Sequence, residues 1–266
     1  MSGRRNSAPA RAFWCAMPLR ATILALSLLA LAAPAAGAAV PRWAAKAVLA
    51  DCERGQADSD RAAVFEGQMR TVRGAARMQM RFALQAHAPD TTRWSSVAVP
   101  GFGTWITSQA GTSRYVYTKR VEGLLAPSSY RVQVRFRWLS GSGRTLATAR
   151  RNSSVCRQPD PRPNLVVSSL ALRPTARAGR YRYVAFVRNT GRSAAGATAL
   201  RVAFGGAALP AAPVIALEPG EGVEVAIEGP ACAEGAPVDA DADAGDVVDE
   251  RDEADNRFTR LCPPPS

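Results

Sequence analysis

Six acidic side chains fall within the ten residues Asp246–Asp255 of the segment GDVVDERDEADNRF (245–258), and Asp239, Asp241 and Asp243 alternate just ahead of it. Carboxylates at this density can hold a hard cation, trade protons, or simply solvate a surface. Counted from Asp239, the residues Asp239, Asp241, Asp243 and Glu250 occupy positions 1, 3, 5 and 12 of an EF-hand-like loop, a candidate low-affinity calcium site. Ala244 stands where the sharp-turn glycine belongs, Gly245 comes one place late, and no helical pattern flanks the stretch. The alternative needs no cofactor. Period two puts Asp239, Asp241 and Asp243 on one strand face and Val238, Ala240 and Ala242 on the other, the start of a solvated hairpin with a charged turn ending near Asn256.

Other chemistry is sparse. His87 is the only histidine, no CxxC pair occurs, and no G-x-S-x-G elbow is present, so neither a zinc centre nor a hydrolase nucleophile is assembled. The acids cluster in one hairpin rather than around a cleft, and the chain is expected to be non-catalytic. Of five cysteines, Cys15 lies in a leader: a basic stretch with Arg4, Arg5, Arg11 and Arg20, the apolar run ATILALSLLALAA (21–33), and small residues AGA (36–38). Residues 1–38 read as a signal peptide. Cys52, Cys156, Cys232 and Cys262 remain, an even number in an exported chain, which argues for disulfides. Three connectivities are open; the layout favours Cys52–Cys156 and Cys232–Cys262, each bracketing its own segment. In the loop-entropy account these contribute roughly 4.7 and roughly 3.7 kcal/mol. No second apolar run is long enough to span a bilayer, and the expected location is extracellular or envelope-associated.

Charge is divided along the chain. Residues 39–158 hold 19 Lys and Arg against 7 Asp and Glu, whereas residues 159–266 hold 11 against 15. The basic half concentrates arginine on strand-like segments: Arg77 and Arg81 in one, Arg131, Arg135 and Arg137 in another. These five are candidate anion contacts for an envelope polymer or acidic glycan. Phe102 and Trp105, in the Gly-rich VPGFGTWITSQ (99–109), are candidate glycan contacts. Nucleic acid is not an expected partner, for no recognition motif accompanies the charge.

These residues must be positioned by strands. YRVQVRFRW (130–138) sets Tyr130, Val132, Val134, Phe136 and Trp138 on one side and Arg131, Gln133, Arg135 and Arg137 on the other. RMQMRFALQA (77–86) alternates likewise, and period two over nine residues is a strand signal. SRYVYTKRV (113–121) and TLATARRNSSVC (145–156) extend the series. The second half offers NLVVSSLAL (164–172), YRYVAFVRN (181–189), LRVAFGG (200–206) and VEVAIEG (223–229), separated by the turns NTG and EPGEG. Between the halves, RQPDPRPN (157–164) has three prolines in eight residues and reads as a short stiff connector. The expectation is all-β: two tandem antiparallel β-sandwiches, 39–156 and 164–262, joined by residues 157–163.

The second half also carries the marks PNLVVSSLAL, VRNTGRSAAGATALRVAF, IALEPGEGVEVAI and VDADADAGDVVDERDEADN in that order. This sequence of an opening P-N-L strand, an N-x-G turn, an ALxPG-like turn and an acidic segment ending in Asn resembles the CARDB family, a bacterial adhesion-related module. The resemblance implies an immunoglobulin-like sandwich with a cell-surface binding role. Cys232, Cys262 and the insert GPACAEGAP (229–237) depart from the pattern. In the first half, VEGLLAPSSYRVQVRF resembles the corner of fibronectin type III domains at Leu125, Pro127 and Tyr130. That likeness implies a Tyr130 hydroxyl tying down the preceding loop. Taken together, the reading is a secreted binding protein whose basic half contacts anionic envelope polymers or a surface protein. The alternatives are a carbohydrate-recognising accessory module and a spacer without its own ligand.

Overall fold

Residues whose side chains alternate between apolar and polar gain most by burying one face of a strand against another sheet. Such residues fill this chain. The computed structural model describes residues 40–264, and the expected signal peptide, residues 1–38, lies outside them. No α-helix occurs among the described residues, and so no helix there is long and apolar enough to cross a membrane.

The first group of strands is β1 (Ala45–Arg54), β2 (Arg61–Arg70), β3 (Arg77–His87), β4 (Ser95–Val97), β5 (Ile106–Thr107), β6 (Arg114–Glu122), β7 (Ser128–Leu139), β8 (Thr145–Asn152) and β9 (Cys156–Gln158). One sheet runs β1-β2-β6; the other runs β4-β3-β7-β8, with β5 added to β3 and β9 to β7. All pairs are antiparallel. The core between them holds Phe65 and Met69 from one sheet, and Met80, Phe82, Val134, Phe136 and Trp138 from the other. Trp138, fully buried, satisfies its indole N–H on the Arg70 carbonyl at 2.8 Å. Gly67 lets the sheets meet: a Cβ there would stand 2.7 Å from the Met80 sulfur and 2.8 Å from the Phe82 ring. The Tyr130 hydroxyl donates to the Leu125 carbonyl at 3.0 Å, the tie that the corner sequence implies.

The second group is β10 (Leu165–Pro174), β11 (Arg180–Asn189), β12 (Thr198–Phe204), β13 (Ala207–Ala208), β14 (Ala212–Val214), β15 (Gly222–Pro230), β16 (Pro237–Asp241) and β17 (Arg257–Leu261). It forms one sheet β10-β11-β15 and a second β13-β12-β16-β17, with β14 also on β12. Leu165, Leu170, Tyr183, Val187, Leu200 and Val202 lie in its core. No strand of one group pairs with a strand of the other, so the chain is nearly all β in two sandwich-like groups. Disulfides join Cys52 to Cys156 and Cys232 to Cys262, with Cα separations of 5.5 and 6.0 Å. The first links β1 in one sheet to β9 in the other.

Two expectations need correction in detail. The connector is shorter than 157–163, because Arg157 and Gln158 already belong to β9, paired with Ser129 and Ser128. The strand carrying the alternating aspartates ends at Asp241, two residues before Asp243. Asp243 adopts φ of 59°, the left-handed region that Asp tolerates, and this reverses the direction of its side chain. It is therefore buried with Val238 and Ala240 instead of sharing a solvated face with Asp239 and Asp241.

Candidate functional site: a basic sheet face and a buried acidic knot

On the outer face of the second sheet in the first group, register decides which arginines meet. Residues directly opposite across antiparallel strands share a face, about 5 Å apart. Arg81 on β3 lies opposite Arg135 on β7, and Arg135 lies opposite Arg150 on β8. Three like charges thus stand in one row across three adjacent strands. One step along β7, Arg137 lies between Gln79 and Thr148; four residues the other way, Arg131 lies opposite Gln85, to which its Nε donates at 2.9 Å. Arg77 is exposed at the start of β3, opposite Leu139. Among the described residues none of these six arginines joins an ion pair with an acid.

Two indoles flank the row. The Arg137 guanidinium sits 3.5 Å from the centre of the Trp105 ring, and the Arg131 guanidinium 4.1 Å from that of Trp94. Stacking of this kind fixes the guanidinium plane and leaves its outer N–H groups free for an oxyanion. Trp105, Arg135, Arg137, Thr148 and Arg150 line a shallow groove. Phe102 and Trp105, the candidate glycan contacts, part company here. Phe102 turns edge-on to the core residue Phe82 at 6.5 Å between ring centres, while Trp105 has one ring face covered by Arg137. Arg150 and Trp94 are not singled out by the sequence pattern. The alternation in TLATARRN does set Arg150 apart from Ala147 and Ala149, but only the register of β8 on β7 brings it to Arg135.

The acidic segment is built differently from the loop counted in the sequence. It connects β16 to β17, and its carboxylates divide into two sets. Asp239 accepts from the Thr259 hydroxyl at 2.6 Å, and Asp241 pairs with Arg201 at 2.9 Å and Arg257 at 3.4 Å. Asp243 and Glu250 come together with Glu253, one carboxylate oxygen from each lying within 4.8 Å of the others. Nor is this turn solvated throughout: Asp243 is 5 % exposed, Glu250 1 % and Asn256 6 %.

The buried carboxylates serve orphan backbone donors. Asp243 accepts from the N–H groups of Val247 and Val248, at 3.2 and 2.9 Å, and from the Thr198 hydroxyl. Glu250 accepts from the Leu165 N–H and from the Asn256 amide, the latter at 3.0 Å. Burial pushes the Glu250 carboxyl up to about 7, with Glu253 and Asp243 adding repulsion, against the lowering effect of the Leu165 and Asn256 hydrogen bonds. The Asn256 side-chain oxygen is buried without a partner.

The other motif residues are tied to the same segment. Asn164 donates through its amide to the Thr190 hydroxyl and to both Asp255 oxygens at 3.1 Å, and accepts from Arg251 Nε at 3.2 Å. Asn189, fully buried, uses its whole side-chain capacity. Its oxygen accepts from the N–H groups of Asn164 and Gly191, and its amide donates to the Ser193 and Leu217 carbonyls, all between 2.8 and 3.1 Å. Gly191 has no room for a Cβ, which would meet the Pro163 and Asn164 backbone at 2.4 Å. The opening strand, the N-x-G turn, the ALEPG turn and the acidic segment are therefore four parts of one hydrogen-bonded junction.

Comparison with known proteins gives a family match over the same part of the chain. Residues 162–260 match the CARDB family. Among solved structures, the chain is similar to the CARDB domain of a Pyrococcus furiosus protein in complex with di-metal ions. Identity is 23 %, covering 38 % of this chain and 88 % of that one, with a TM-score of 0.31. It is also similar to red sea bream transglutaminase, at 11 % identity over 79 % of this chain and 30 % of that one (TM-score 0.30). A class 5 fimbrial chaperone shows 10 % identity, covering 82 % of this chain and all of that one (TM-score 0.25). No curated protein matches. The family match thus falls on residues 162–260, the second β-sandwich group.

Proposed function

We propose that the protein is a non-catalytic binding module of the cell surface, and that the basic sheet face of its first sandwich contacts anionic envelope polymers. The observation that carries this reading is the row Arg81–Arg135–Arg150. Like charges directly opposite on neighbouring strands destabilise a sheet, and no acid among the described residues pairs with these three. A polyanion laid across β3, β7 and β8 would meet a cation about every 5 Å, with Arg131 and Arg137 held ready on their indoles. Two disulfides and an adhesion-related domain fit an extracellular or envelope location. The glycan-stacking alternative loses support because Arg137 covers one face of Trp105 and Phe102 packs against the core residue Phe82. Retention on a sulfated-polysaccharide column tests the reading: the R81Q/R135Q/R150Q variant should elute at much lower salt than wild type. Equal elution would argue against it.

A second reading is favoured by one specific observation, the partnerless oxygen of buried Asn256 beside three clustered carboxylates. We infer that Asp243, Glu250 and Glu253 hold a hard divalent cation of the calcium class, with Asn256 contributing its carbonyl. The donor set fits, since it is all oxygen and no Lys or Arg among the described residues pairs with these three carboxylates. The ion would tie the acidic loop to Leu165 and Thr198 through residues already bonded there. Asp239 and Asp241 have no part in it. Millimolar calcium should raise the melting temperature of wild type and leave that of D243N unmoved; no shift in wild type would end this reading.

A further inference from the structure

Four tryptophans are described, and three of them have settled environments. Trp138 is buried, while Trp94 and Trp105 lie beneath arginines. Trp43 differs: it is 59 % exposed, and among the described residues no cation covers its ring. It sits in a short turn just before β1, where the described chain enters the sandwich, on the sheet opposite to the arginine row. Around it, Lys46, Arg70 and Arg114 share a shallow groove of about 270 Å³ with Gln68. Arg70 and Arg114 are directly opposite one another on β2 and β6, and Lys46 is opposite Gln68. None of the three cations is ion-paired among the described residues, and Glu66 on the same strand face accepts from Gln68 at 2.5 Å.

From this patch we infer a docking surface for an anionic lipid bilayer, with Trp43 seated among the headgroups. An indole has an apolar body and one N–H donor, and it prefers the boundary between hydrocarbon and water to either phase. Three unpaired cations in the same groove supply attraction to anionic headgroups, each strengthening binding about fivefold. A soluble polyphosphate would use the cations but offer the indole no apolar boundary. This site is separate from the arginine row, so the two can fail independently.

The test is co-sedimentation of the chain from residue 39 onward with vesicles, either phosphatidylcholine alone or an equal mixture with phosphatidylglycerol. Brominated lipid serves as a tryptophan quencher. Expected results are binding to the anionic vesicles only, tryptophan quenching that disappears in W43A, and affinity about tenfold weaker in W43A. The K46Q/R70Q/R114Q variant should lose about a hundredfold, and R81Q/R135Q/R150Q should bind as wild type. All sites changed are exposed except Arg81, which is half-buried, and unchanged melting temperatures will verify that each variant is folded. The inference is overturned by no binding to anionic vesicles, by equal binding to both vesicle types, by full-strength binding of W43A, or by loss of binding in R81Q/R135Q/R150Q.

Discussion

Replacing Asn189 with Ala removes four hydrogen bonds at once from a position with no exposure. The N–H groups of Asn164 and Gly191 and the carbonyls of Ser193 and Leu217 would lose their partner at the centre of the junction. An unsatisfied buried backbone group costs about 1–3 kcal/mol, and the four costs do not add in full because some groups will find water. A loss of about 3–5 kcal/mol is the worked expectation, at the upper end for a single substitution. With a urea slope of about 1–2 kcal/mol per molar, the midpoint should fall by about 2 M or more. The protein supplies its own control, because every tryptophan lies before residue 139 and the second sandwich has none. Tryptophan fluorescence therefore follows the first sandwich, while circular dichroism follows both. The N189A variant should shift the dichroism transition of the second sandwich and leave the fluorescence transition in place. A loss below 1 kcal/mol would refute the argument that this asparagine holds the four motifs together, as would an equal shift in both signals.

Other expectations follow from the same geometry. The Glu250 carboxyl has a folded value near 7, above its value in the unfolded chain, so its contribution to stability is complete at low pH and is lost as pH rises through 7. In chelator, thermal stability of the second sandwich should decline from pH 5 to pH 8 and the decline should vanish in E250Q; a persistent slope in E250Q would place the titration elsewhere. Removing the Tyr130 hydroxyl in Y130F should cost about 1 kcal/mol, seen this time by tryptophan fluorescence, since the lost bond to Leu125 lies in the first sandwich. Substituting Trp105 with Ala frees the Arg137 guanidinium from its stacked position and should weaken polyanion retention less than R81Q/R135Q/R150Q does.

Strands with strict alternation were legible in the residues themselves. YRVQVRFRW became the centre of β7 and RMQMRFALQA most of β3, because each commits one whole face to the core. AKAVLADCER and RAAVFEGQMR, which form β1 and β2, mix small and charged residues and give no such signal; their pairing with each other and with β6 makes them strands. At the sites, residue type was readable and partnership was not. Five arginines could be assigned to one face by period two, yet their row needed Arg150, which only the register across β7 and β8 supplies. The acidic segment misled for a related reason. Counting positions presumed a continuous loop, whereas one left-handed residue, Asp243, turned the chain inward and exchanged Asp239 and Asp241 for Glu253.

The central claim is that the first sandwich reaches anionic envelope polymer through its arginine row. Co-sedimentation of wild type and of R81Q/R135Q/R150Q with lipid-extracted envelope polymer, across a salt series, tests it most directly. The account predicts wild-type binding that weakens steadily with salt and is largely absent in the variant at every salt concentration. Binding that ignores salt, or that the variant retains in full, would contradict it.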